Sequence, residues 1–139
     1  MNKRFLYGFV AVFVTIEVLN ILIHGVILSP TYQSTSSLWR PDYSSKVWIA
    51  SLNTVISAFF FTFVFSKGYE AKGVAEGARY GFYIGFWLSA LMAYGTYMMI
   101  AIPYSLAVQW FIYGVIEYVV AGVVLALVFA AQAKGGQKA

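Results

Sequence analysis

The sequence predicts an all-α membrane protein with four transmembrane helices, arranged as two hairpins in one bundle. Hydrophobic residues make up 61% of the 139 residues and charged residues only 10%, and the mean hydropathy is +0.76. These values lie far from the averages of soluble domains. The apolar residues fall in four stretches, each near the ~20 residues needed to span hydrocarbon: residues 5–28, 47–65, 80–102 and 106–131.

The first segment, residues 5–28, is expected to be a retained helix. Lys3 and Arg4 precede it, as in a signal peptide, but the apolar run is too long and ends without a small-x-small cleavage pattern. The chain has no cysteine, which excludes disulfides, thiolate nucleophiles, cysteine-ligated metals and lipid attachment through cysteine. We expect one domain over residues 1–139.

The connection between the first two segments, residues 29–46, is predicted to be the long external loop. Its aromatic residues, with one at the start of the next segment, are Tyr32, Trp39, Tyr43 and Trp48. Two interpretations are open: a belt of aromatic rings at headgroup level, or a cap that folds over the outer end of the bundle. Arg40 is the candidate contact for an anionic group, because its planar guanidinium suits carboxylate or phosphate.

The distribution of basic residues predicts that both termini are cytoplasmic. Arg40 and Lys46 fall on the outer side, and the other basic residues fall on the inner side, which includes a cytoplasmic loop over 66–79. The net charge of +4 fits attraction to an anionic leaflet. No basic patch with interleaved aromatics is present, so the expected partners are lipids and other membrane subunits or further copies of the chain, not nucleic acid.

The third and fourth segments are joined by a tight external turn around Pro103 and complete the second hairpin. Tyr7-Gly8-Phe9, Phe13 and Pro30 recur at an offset of 73 as Tyr80-Gly81-Phe82, Phe86 and Pro103, as expected for a parallel repeat. Glycines that would permit close helix packing are Gly81, Gly85, Gly95, Gly114 and Gly122.

A polar stripe in the first segment is the strongest functional signal. Glu17, Asn20 and His24 are spaced i, i+3, i+7, which places them on one helix face. An acid at the centre of a spanning helix costs ~2.5 to 3.5 kcal/mol, whereas an interhelical hydrogen bond returns only ~0.6 kcal/mol on average. Glu17 is therefore predicted to be a site residue.

Glu117 lies near the middle of the last segment, at a depth that matches Glu17. If the two helices are neighbours, the carboxylates are expected to share a proton or a cation, because like charges close together do not both ionise cheaply. If they are not, each acid needs its own partner. Polar residues predicted in the outer half of the membrane outline an outward-opening pocket with the acids at its floor: His24, Asn53, Tyr97, Gln109 and Tyr113.

The single histidine limits the metal and haem sites that one chain can build. A ferritin-type di-metal site needs Glu-x-x-His on two helices, and bis-histidine haem also needs two histidines. Haem bound through His24 alone and a pigment or quinone contact remain open. The sequence has no motif of a Ser-His-Asp catalytic triad, no Gly-rich phosphate-binding loop and no nucleotide-binding fingerprint.

Two resemblances follow from motifs. The motifs of the first are HGVILSPTY at 24–32, LWRP at 38–41, YGTY at 94–97 and IPYSLA at 102–107. They resemble a group of small uncharacterised bacterial four-helix inner-membrane proteins, which implies the fold and brings no activity. Glu17 is also similar in position to the membrane-embedded glutamate of the small multidrug resistance transporters. The long external loop, His24 and Glu117 depart from that family.

Three functional hypotheses result. The first is a non-catalytic accessory or interaction subunit, in which Glu17, Asn20 and His24 close a buried hydrogen-bond network. The second is a proton- or cation-coupled transporter in which Glu17 titrates and Glu117 is its counterpart. The third is a membrane enzyme that acts on a lipid or quinone from the outer pocket, with His24 as base and Arg40 as anion clamp.

Overall fold

Residues 3–135 are described by the structure, a computed structural model, and every regular element in this range is helical. The all-α class is thereby confirmed. The five α-helices are α1 (Lys3–Asn20), the short α2 (Ser29–Ser34), α3 (Trp48–Gly68), α4 (Val74–Met99) and α5 (Tyr104–Gly135). Lys138 and the side chain of Lys134, which contribute to the predicted orientation, lie outside the described residues.

Three helical stretches are long and apolar enough to cross a membrane: Lys3–Ile27, Tyr43–Gly68 and Tyr104–Ala133. The helix α4 has a comparable length, but its tyrosines and glycines reduce its apolar content. Membrane-spanning character is thus found in the first, second and fourth predicted segments. The fourth span and the orientation of the chain stay predictions.

The start of α4 differs from the predicted boundary at residue 80. Glu76, in the first turn of α4, is 7% exposed, and its carboxylate accepts the backbone N–H groups of Glu70 and Lys72, both at 2.7 Å. Gly73 enters the helix with φ of 76°, a conformation that glycine adopts readily. These contacts extend α4 back to Val74, so the connection predicted over 66–79 is shorter than expected.

The first spanning helix widens near its outer end. α1 continues into a π-helical turn, Ile21–Ile27, in which Leu28 N–H donates to the Ile23 carbonyl at 2.8 Å, an i to i−5 bond. The short helix α2 follows with Pro30 in its first turn, where the missing N–H does least harm. Turns of this kind are frequent at functional sites, and this one contains His24.

The helix α5 is the centre of the packing, because it contacts both α4 and α1, while α1 also contacts α3. α1 and α5 run antiparallel. At the inner end, Gly8 lies against Leu125 and Phe129; at the outer end, Tyr32, just beyond the first span, bonds to Trp110. The sequence left open whether the first and last spanning helices are adjacent, and the structure shows that they are.

Small residues bring α4 and α5 together. A Cβ atom on Gly81 would overlap the carbonyl of Tyr118, and Gly77 and Gly122 are in backbone contact across the interface. The prediction of close approach is confirmed at Gly81, Gly85, Gly114 and Gly122. Gly95 has open space where its Cβ atom would lie, so it takes no part in this interface.

Two apolar clusters fill the bundle at different levels. The inner cluster comprises Val12, Ile16, Ala58, Phe61, Phe65, Ala121, Leu125, Ala126 and Phe129. The outer cluster comprises Ile23, Leu28, Ile102, Leu106 and Ala107. On both α1 and α5 the acids fall in the sequence interval between the two clusters, so the polar level of the bundle is enclosed by apolar layers on either side.

We predict that Gly122→Ala destabilises the bundle by about 1–3 kcal/mol, the usual range for overpacking, because its Cβ atom would overlap the carbonyl of Gly77. The matched control is Gly95→Ala, which has open space and should be neutral or slightly stabilising. Thermal unfolding in detergent, followed by circular dichroism, measures both. Equal transition midpoints for the two variants would contradict the close packing of α4 on α5.

Candidate functional site

Glu17 on α1 and Glu117 on α5 lie at the same level of the contact between these helices, between the inner and outer apolar clusters. Glu117 is 7% exposed, and Glu17 is half-buried with its Oε1 atom enclosed. The two carboxylates are close enough to interact electrostatically. Glu17 Oε1 has no hydrogen-bond partner within the described part of the chain. The structure therefore brings together the two acids that the sequence placed at the same depth.

Within the described residues, no ion pair joins a basic side chain to either acid. The ion pairs there join Arg40 to Asp42, Lys46 to Asp42 and Lys72 to Glu70, and no group of three or more His, Asp or Glu residues among them could hold a metal ion. Two carboxylates bind Mg²⁺ or Ca²⁺ only together with water or further oxygen ligands. A proton is the simplest species that relieves the repulsion, since two close carboxylates do not both ionise cheaply.

Four side chains form a second polar group, the outer aromatic layer: His24, Tyr32, Trp39 and Trp110. The Tyr32 hydroxyl lies 2.5 Å from His24 Nδ1, and Trp110 Nε1–H donates to the same hydroxyl at 2.7 Å. Trp39 Nε1–H donates to the Tyr32 carbonyl at 3.3 Å. Tyr32 is the hub of this layer, because all three neighbours bond to it.

The hydrogen bonds of the outer aromatic layer link the Tyr32 hydroxyl to two neighbours. An indole N–H only donates, so the Tyr32 oxygen accepts from Trp110. Burial raises the pKa of Tyr32 to about 12, although the Trp110 bond opposes the shift, so the phenol keeps its proton at physiological pH. The tautomer of His24 sets the direction of its bond to Tyr32: Nδ1 accepts from the hydroxyl when the ring proton is on Nε2, and Nδ1–H donates to the oxygen when Nε2 is unprotonated.

A half-buried polar face connects the carboxylate pair with the outer aromatic layer. Glu17, Asn20 and His24 are all half-buried, whereas Val18 and Ile21 on the other side of the helix are exposed. The seven residues from Glu17 to His24 correspond to about 10 Å at the α-helical rise. The polar stripe thus leads from the middle of the helix to the turn beneath the external connection.

The remaining predicted pocket residues are distributed differently. Tyr113 is half-buried and packs against the outer cluster. Asn53 is exposed on α3, and Tyr97 is 42% exposed with its ring 5.5 Å from that of Tyr104. Asn53 and Tyr97 are therefore not brought to the acids, and the site is narrower than the pocket expected from depth alone.

Arg40, the predicted anion contact, lies in the exposed part of the external connection. Its Nε and second terminal nitrogen donate to the two carboxylate oxygens of Asp42 at 2.9 and 3.3 Å. The Arg40 guanidinium holds the pKa of Asp42 below its ordinary value. The fork of Arg40 is thus engaged by the chain's own carboxylate, and contact with an external anion stays a prediction.

Sequence reasoning did not assign Tyr32 and Trp110 to the site. Tyr32 and Trp39 fold inward as a cap, whereas Tyr43 and Trp48 are 64% and 63% exposed, as a belt of rings at the interface would be. The sequence signal that pointed to this arrangement was Pro30, which marks the start of the short helix α2 that carries Tyr32. Trp110 lies 78 residues from Tyr32 in sequence, and no local pattern indicates that contact.

No family model matches the chain, and neither a search of curated proteins nor one of solved structures found a similar protein.

We predict that Tyr32→Phe destabilises the protein by about 1–3 kcal/mol, because it leaves the Trp110 N–H and His24 Nδ1 buried without their partner. The same change at the exposed Tyr43 is the control and should have little effect. Thermal unfolding gives the stability, and the emission spectrum of the tryptophans reports the changed surroundings of Trp110. Identical behaviour of the two variants would show that the outer aromatic layer is not formed.

Proposed function

We propose that the chain crosses a bacterial inner membrane four times with both termini in the cytoplasm. Three helices have the length and apolar character of spans. Support for the fourth span comes from α4, whose glycines hold it against α5 and whose 26 residues extend about 39 Å. A helix fixed along a spanning helix crosses the same layer. The excess of basic residues in the inner connections supports the orientation.

We propose further that the protein binds a proton within the membrane and conducts it across, with release on the outer side, as the proton-handling part of a small transporter. The observation that carries this proposal is the pair Glu17 and Glu117, which lie at the same level of the contact between α1 and α5, close enough to interact electrostatically, and which form no ion pair with a basic side chain in the described part of the chain. Ionisable groups inside membrane helices typically mark proton or ion pathways.

The route outward follows the polar face of the first span. Asn20 lies one turn beyond Glu17, and its amide both donates and accepts hydrogen bonds. His24 follows in the π-helical turn, where Tyr32 fixes its ring through Nδ1. When His24 Nδ1–H donates to the Tyr32 oxygen, Nε2 is unprotonated and can take a proton and release it outward. Glu17, Asn20 and His24 thus form the steps between the carboxylate pair and the outer surface.

We expect Glu17→Gln and Glu117→Gln each to lower proton flux at least tenfold, because an amide cannot hold the exchanged proton. The measurement uses proteoliposomes that enclose a pH-sensitive dye, with an imposed membrane potential to drive flux. Glu70→Gln is the matched control, since it makes the same chemical change at an exposed position in the connection before α4. Wild-type flux equal to that of empty liposomes, or unchanged flux in both pair variants, would contradict the proposal.

The interaction-subunit hypothesis is favoured by a separate observation on α4. Tyr83 and Trp87 are 63% and 60% exposed in the interior of that helix, where hydrocarbon offers their polar atoms no partner. A photo-crosslinker at position 87 is expected to capture another membrane polypeptide, whereas one at Val18, an exposed position on α1, captures lipid. Capture of lipid alone at both positions would count against a partner subunit on α4.

A further inference from the structure

The outward side of α3 carries a regular exposed face. Its members follow each other at alternating spacings of four and three residues and form what we call the α3 heptad face: Ile49, Asn53, Ile56, Phe60 and Phe63. The four apolar members are between 38% and 58% exposed. Spacings of this kind repeat every seven residues, as do the a and d positions of coiled coils.

The α3 heptad face points away from the bundle. The residues by which α3 packs into the protein are Thr54, Ala58, Phe61 and Phe65, which are all buried. At 100° per residue these buried positions lie on the opposite side of the helix from the heptad face. The exposed face is therefore not a cleft of the bundle, and within the described residues it has no helix packed over it.

Asn53 is anomalous on such a surface. It lies near the middle of the candidate span Tyr43–Gly68 and is exposed, and its side-chain amide makes no hydrogen bond within the described residues. The adjacent Thr54, in contrast, has a partner, because its hydroxyl donates a hydrogen bond to the Ala50 carbonyl at 3.1 Å. A primary amide without a hydrogen-bond partner in hydrocarbon costs free energy. We therefore expect the Asn53 amide to bind a group that both accepts a hydrogen bond from its NH₂ and donates one to its oxygen.

A second copy of the chain supplies such a group. When two copies face each other across a two-fold axis, each Asn53 carbonyl accepts from the NH₂ group of the other. The excess of basic residues on one side gives every copy the proposed orientation, so their α3 helices are parallel. In parallel coiled coils, a single Asn at an a position among apolar neighbours selects the dimer and fixes its register. The α3 heptad face has this composition.

The charged ends of the face are compatible with this pairing. Lys46 and Lys67 continue the same spacing beyond the apolar residues, near the two ends of the span. Lys46 lies 3.6 Å from Asp42, and the Lys67 ammonium lies 5.1 Å from the centre of the Phe63 ring. Both lysines therefore have partners in their own copy, which reduces repulsion between the copies.

We propose that the protein forms a parallel two-fold homodimer through the α3 heptad face, with Asn53 of one copy hydrogen-bonded to Asn53 of the other. The contact lies on the side of α3 remote from the bundle interior, so each copy retains its own carboxylate pair. Dimer formation and the proposed proton exchange can therefore be tested separately, because neither requires the other.

The chain has no cysteine, so single cysteines test the interface directly in membranes. Ile56→Cys lies on the heptad face and should give a disulfide-linked dimer on mild oxidation. Val55→Cys is the matched control, because Val55 is a neighbouring exposed residue on another side of α3. Equal crosslinking of both, no crosslinking of either, or capture of a different protein at position 56 would overturn the proposal.

The role of Asn53 is tested by the dimer dissociation constant, measured by energy transfer between labelled copies in vesicles. Asn53→Leu should raise this constant about tenfold, as expected for the loss of reciprocal interhelical hydrogen bonds. Ser51→Leu, the same type of change at an exposed position off the heptad face, should leave it unchanged. Because both positions are exposed, circular dichroism should show an intact fold. An Asn53→Leu dimer as tight as the wild type would overturn the assigned role of the amide.

Discussion

The antiparallel contact between α1 and α5 is the interaction on which the rest of the structure depends. At its inner end, Gly8 lets α1 approach the side chains of Leu125 and Phe129. In its middle, the contact sets the two intramembrane acids opposite each other. At its outer end, the chain that leaves the first span returns over α5 and bonds to Trp110. Without this contact, each acid would face hydrocarbon alone.

The carboxylate pair lies between two apolar clusters of the bundle. Repulsion between carboxylates is stronger in surroundings of low dielectric constant than in water. The external connection adds a lid, because Tyr32 closes over His24 and Trp110. Any proton that moves outward from the pair must therefore pass the polar face of the first span and the imidazole at its end.

A large part of this architecture was predictable from the sequence. Hydropathy locates the long helices, 3.6-residue periodicity places Glu17, Asn20 and His24 on one face, and the glycines of the third and fourth segments indicate close helix packing without naming the partner helix. Each of these signals is local. The two acids matched in depth by simple counting, because rise along a helix is nearly constant.

The parts that could not be predicted depend on long-range geometry. Counting residues gives depth but not direction around the bundle, so Asn53 and Tyr97 were placed at the right level in a pocket that does not include them. The start of α4 depends on Glu76, whose carboxylate folds the preceding connection onto the helix. The contact between Tyr32 and Trp110 joins two segments 78 residues apart, and it exists only because α1 and α5 are neighbours.

The central claim is that Glu17 and Glu117 together hold one proton inside the membrane. Infrared spectroscopy of the carboxylic acid C=O stretch, with the protein in lipid at neutral pH, measures this directly. The account predicts a band equivalent to one protonated carboxyl group that is lost when both residues are changed to Gln and kept in Glu70→Gln. Absence of the band in the wild type, or its survival in the double variant, would contradict the claim.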